Sequence, residues 1–73
     1  MQNTPVRPLD VVALLADKPE ESLMAGQVGR VVEVLAPGVF EVEFLDSHGR
    51  TVALAELRRE ELLALKHQAA VGA

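Results

Sequence analysis

The stretch from Val39 to Leu45 reads Val-Phe-Glu-Val-Glu-Phe-Leu, and it narrows the available folds more than any other segment. Phe40, Val42 and Phe44 fall on one side of an extended chain and Glu41 and Glu43 on the other, because successive side chains of a strand point to opposite faces. Turn signals bracket the run. Upstream, Ala36-Pro37-Gly38-Val39 suits a type II turn: proline presets φ at the second position, and glycine supplies the positive φ that the third demands. Downstream, Asp46-Ser47-His48-Gly49 opens with a residue that hydrogen-bonds the following backbone. It closes with a glycine able to take the left-handed conformation of a bulged hairpin loop. Val28–Leu35, rich in β-branched residues, precedes the first turn, and Arg50–Leu57 follows the second. The pattern predicts an antiparallel three-stranded meander from Val28 to Leu57.

Such a meander leaves an apolar face open, which the rest of the chain has to cover. At 73 residues there is room for one small domain, and a core of that size rarely supplies more than about 3–5 kcal/mol unaided. Pro5 and Pro8 make residues 1–8 an irregular lead-in. Leu9–Asp17 is a short apolar run in which adjacent valines favour a strand. Lys18–Ser22 contains a helix breaker and reads as an exposed loop, with Glu20 and Glu21 at a solvated tip. Leu23 and Met24 are expected to return and cover one end of the core. Gly26 and Gly29 read as turn or bulge glycines at a strand entry; a phosphate cradle would need a helix N-terminus or an adjacent Lys and Ser/Thr.

Glu61–Leu65 is the second candidate cover, from the side opposite Leu9–Leu15. Propensity assigns helix from Leu57 onward, with Leu62, Leu65 and Ala69 on one face. A strand there would instead give five short strands able to close into a small barrel with fewer exposed edges. Propensity alone leaves that choice open. Residues 67–73, with His67, are expected to form a flexible tail.

A longer pattern carries a resemblance. Leu-Asp-Val-Val from Leu9, a Pro-Glu loop, Gly-x-Val-Gly-x-Val-Val-Glu-Val from Gly26, Glu-Val-Glu-Phe from Glu41 and Gly-x-Thr-x-Ala-Leu from Gly49 resemble a family of short bacterial proteins of unknown function. The match runs from Leu9 to Leu65. It implies an all-β fold, a five-stranded SH3-like barrel over residues 9–66, with one helical turn around Arg58-Arg59-Glu60 before the last strand. It therefore implies strand, not helix, for Glu61–Leu65. The family implies no established activity. Its members look like stand-alone small proteins, and the resemblance implies for some of them a pairing with the product of a neighbouring gene, toxin–antitoxin-like arrangements included. The glycine-valine run also resembles the KOW version of the SH3-like barrel found in ribosomal and transcription proteins.

Composition limits function. Seven Lys and Arg against eleven Asp and Glu give a net charge of −4, which disfavours nucleic acid, whose phosphates are bound by neutralisation, and anionic membrane surfaces. No apolar run approaches the roughly 20 residues of a spanning helix, the start lacks a signal-peptide pattern, and a cytoplasmic protein is expected. Without cysteine, disulfides and thiolate metal sites are excluded. No nucleophile–base pair is visible, so no enzyme, cofactor or metal is expected. Phe40 and Phe44 are the only aromatic residues, leaving none of the Trp or Tyr that dominate hot spots and base stacking.

The remaining reading is a protein-interaction module that binds and neutralises, or stabilises, a neighbouring gene product. Glu33, Glu41 and Glu43 are expected on one outer face, offset by Arg30 and Arg50, where they would suit a basic partner. Val31, Leu35 and Leu45 share the parity of those glutamates and would form an apolar patch for a partner or a second copy. His48 and Arg50, beside Asp46 at a hairpin tip, are candidate partner contacts. The alternative, a KOW-like nucleic-acid barrel, needs Arg30, Arg50, Arg58 and Arg59 clustered on one side.

Overall fold

Both predicted turns form. In the computed structural model, which describes residues 5–65, Gly38 takes φ +75° between β2 (Val28–Ala36) and β3 (Val39–Leu45). Gly49 takes φ +80° between β3 and β4 (Thr51–Arg58). Asp46 organises the second turn: its Oδ1 accepts the N–H groups of His48 at 2.8 Å and Arg50 at 2.9 Å. These turns set Phe40, Val42 and Phe44 opposite Leu57, Ala55 and Ala53 on the inner face.

β1 (Val11–Leu14) pairs antiparallel with β2 on one side and with β5 (Leu62–Ala64) on the other, so the sheet runs β4-β3-β2-β1-β5. Two single 3₁₀ turns complete the described chain, Pro19–Glu21 in the β1–β2 loop and Arg59–Glu61 just before β5. The fold is all-β, five antiparallel strands with one helical turn before the last. Two expectations are corrected. β5 adds outside β1 on the same edge instead of covering the meander from the opposite side. Hydrogen bonding does not close the barrel, because β4 and β5 end the strand order without pairing to each other.

Helix propensity beyond Leu57 loses to tertiary contacts, which routinely override it. Leu62 is completely buried in the core. The Leu15 N–H donates to the Glu61 carbonyl and the Leu65 N–H to the Val11 carbonyl, both at 2.9 Å. A helix over these residues would forfeit the burial and both bonds. The expected tail, residues 67–73 with His67, lies outside the described residues, as do residues 1–4 of the lead-in.

The core is one cluster: Val6, Val12, Leu14, Leu23, Val31, Phe40, Val42, Phe44, Ala55, Leu57 and Leu62. No second layer is present among the described residues, yet Leu57 on β4 and Leu62 on β5, from opposite ends of the strand order, are both buried in it. A flat sheet could not bury both, so the sheet curls around them. Two features of β2 permit the curl. Gly29 lies between Val12 and Phe44 in the pairing, and a Cβ there would stand 2.7 Å from the Glu43 carbonyl oxygen and 2.8 Å from Val42 Cγ1. The β2–β3 ladder also shifts register twice, between Val31 and Glu33 and between Val34 and Ala36, and such bulges bend a strand and increase its twist. Of the pair expected to cover one end, Leu23 is buried and Met24 is exposed.

The β1–β2 loop is fastened to the second 3₁₀ turn. Lys18 Nζ donates to Glu61 Oε2 at 2.7 Å across a partly buried contact, and the other Glu61 oxygen accepts the Arg58 N–H at 2.8 Å. That second bond satisfies a backbone donor at the start of the turn. The Arg58 N–H first, and then Lys18, hold the Glu61 carboxyl below the usual carboxylate range. The hydrogen bond to Glu61 raises the Lys18 ammonium above the usual lysine value.

Candidate functional site

Among the described residues, nothing packs over the outer surface of β2, β3 and β4. Its residues follow from the register. Glu33 pairs with Glu41, and Glu41 with Glu56, so three carboxylates stand in one row across three strands. Among the described residues none of the three has a hydrogen bond or ion pair. Like charges directly opposite on a sheet destabilise it. The next row is Arg30, Glu43 and Leu54. Thr51 Oγ1 donates to the Glu43 carboxylate, while no ion pair joins Glu43 to Arg30 across the strands.

Beyond that row the face turns apolar. Val11, Val28, Gly29, Arg30 and Leu45 line a shallow hollow of about 250 Å³. Val52 and Leu54 on β4 are 55% and 54% exposed. One sheet face therefore combines an acidic row with exposed valine and leucine.

The residues singled out from sequence divide on this geometry. Glu33, Glu41, Glu43 and Leu45 lie on the face together. Leu35 is the extra residue of the second register shift and is exposed. Val31 is corrected: it is fully buried opposite Val42 and belongs to the core. Strict alternation gives Val31 and Glu33 the same face, but the bulge at Val32 inserts one residue between them. A one-residue slip exchanges faces. His48 and Arg50 sit at the β3–β4 turn, away from the acidic row. Arg50 offsets Asp46, with Nε to Oδ2 at 3.2 Å, not the glutamates. The Asp46 carboxyl is held below its usual range, chiefly by the Arg50 N–H.

Glu56, Leu54, Val52, Val28 and Val11 belong to this face and were not singled out. Counting through the Asp46–Gly49 turn sets Leu54 opposite Glu41; Glu56 arrives there only through the register shift at Val52, and in Thr-Val-Ala-Leu-Ala-Glu-Leu apolar residues stand at both parities and hide the outward set.

The four arginines of the KOW-like alternative are dispersed. Arg30 lies near the start of β2, and Arg50 contacts Asp46. Arg58 Nε is 3.5 Å from Glu60, and Arg59 donates to the Leu62 carbonyl at 2.9 Å. A second hollow, about 340 Å³, is lined by Leu15, Arg59, Glu60 and Leu62. Among the described residues, no group of three or more His, Asp or Glu could hold a metal ion, and no helix is long and apolar enough to cross a membrane.

Over residues 9–64 the sequence matches the family described as Domain of unknown function (DUF4926). No curated protein and no solved structure matches it.

Proposed function

The chain belongs to this family of domains of unknown function, and we propose that it serves as a non-catalytic protein-interaction module whose contact surface is the outer face of β2–β4. The observation that supports this is the Glu33–Glu41–Glu56 row, in register and without a cation among the described residues, beside exposed Leu45, Val52 and Leu54. The isolated domain bears the repulsion of that row. A basic protein surface relieves it while covering the apolar side chains, and the acidic field steers the encounter. In this reading the partner is a cytoplasmic neighbouring gene product, which the domain neutralises or stabilises.

The test is affinity capture from the host cell's own lysate with the wild-type chain and with Glu41→Lys. Mass spectrometry should find a discrete basic protein retained by the first and lost from the second. Equal retention by both would remove the acidic row from the contact. Recovery of RNA or ribosomal components in place of a discrete protein would favour the KOW-like alternative instead.

A further inference from the structure

The two edges of the sheet are unequal. β5 ends one edge with three residues, and very short edge strands are one way in which sheets avoid pairing with other chains. β4 ends the other with eight. Its register against β3 is regular from Ala53 to Arg58, and this span contains neither proline nor lysine. Among the described residues, no backbone hydrogen bond covers its outer side. A row of N–H and C=O groups is therefore available to a further strand.

The acidic row stops at this edge. Glu33, Glu41 and Glu56 occupy successive strands, so an added strand would put its own side chain next in line, about 4.8 Å from β4. A second copy of the chain supplies the missing cation poorly: its Arg50 faces Glu56 only when the overlap within β4 shrinks to residues 51–55, and Arg50 already holds Asp46. In a two-fold antiparallel pairing of two β4 strands, the registers that overlap most of the strand set Glu56 opposite Val52 or Leu54. The copy's Arg58 reaches Glu56 only where residues 56–58 alone overlap.

We infer that β4 takes up an extended segment of a different protein as a sixth strand, with a Lys or Arg facing Glu56, an apolar residue facing Leu54 and an acidic residue facing Arg58. This rests on the protein-interaction reading and specifies its mode, with main-chain bonds giving affinity and alternate side chains giving specificity.

The probe is a seven-residue peptide in which threonine alternates with glutamate, lysine and valine, added to the full chain labelled for NMR. The expected result is saturable shifts and slowed hydrogen exchange along β4. N-methylation of the peptide backbone should weaken binding about tenfold or more, because it removes several donors at once. Glu56→Lys should weaken this peptide and favour one with glutamate in place of the lysine, the glutamate facing Arg58 being kept. If β4 amides do not respond, or the N-methylated peptide binds equally well, the strand-addition proposal is overturned, while capture dependent on Glu41 would still uphold the face. A β4-mediated homodimer in sedimentation would overturn the choice of a different protein as occupant.

Discussion

In the β2–β4 meander each strand reaches its neighbour through a short turn with its own chemistry: Pro37-Gly38 in one case, Asp46 and Gly49 in the other. β1 and β5 have no such help. They meet from opposite ends of the domain, and the Lys18–Glu61 contact that fastens their connections spans 43 positions. Closing long loops costs chain entropy before any contact is gained, so the meander is expected to carry the fold and the clasp to complete it. The contrast teaches that fastening the seam of so small a sheet depends on a few long-range polar contacts, whereas the meander depends on turns encoded locally.

The change with the largest expected effect acts where the two regions share a residue. Gly29→Val forces side-chain atoms against the Glu43 carbonyl and Val42. Overpacking of this kind costs about 3 kcal/mol or more, comparable to what such a core supplies. Circular dichroism should show a chain unfolded in buffer, and a wild-type-like cooperative melt would show that β2 and β3 need no close approach. Glu61→Ala should cost about 1–2 kcal/mol through the lost N–H acceptor and should act locally. Hydrogen exchange should quicken at the Leu15 and Leu65 amides while Phe40–Phe44 stay protected. Equal loss everywhere would dissolve the distinction between clasp and meander.

Gly38→Ala should cost about 1 kcal/mol, because an alanine is strained at that positive φ, and it should lower protection in both regions together. Glu41→Gln has the opposite sign. Removing one charge from the acidic row should stabilise the domain by about 0.2–1 kcal/mol in urea titration, and destabilisation would mean that the row is not repulsive. The smallest effect is that of pH. Depressed folded-state values for Glu61 and Asp46 mean that their contributions are complete above the ordinary carboxylate values. They are lost as pH falls below about 4. The raised value of Lys18 means that its contribution holds below the ordinary lysine value and fades above about pH 10.4. Because every other carboxylate is common to both, the decline in melting temperature from pH 7 to 3 should be steeper in the wild type than in Glu61→Ala, and parallel profiles would deny the Glu61 contact a role in stability.

The meander was legible because its turns and the Phe40–Phe44 alternation are local signals. The strand at Leu62–Ala64 was not legible from propensity, since it is stabilised by partners far along the chain; the family pattern supplied it. The outward placement of Glu41, Glu43 and Leu45 on β3 was legible for the same local reason. Val31 was misplaced because nothing in a valine-rich run announces a bulge, and Glu56 was overlooked because β4 is apolar on both faces.

Those bulges have one more consequence. β2 uses nine residues against the seven of β3, and the difference is taken up at Val32 and Leu35. Curvature is thus written into surplus length rather than into any side chain. Deleting Val32 would leave every β2–β3 partner on both sides of it correctly matched, yet it would straighten the strand. A shortened chain could keep its pairings and still fail to wrap.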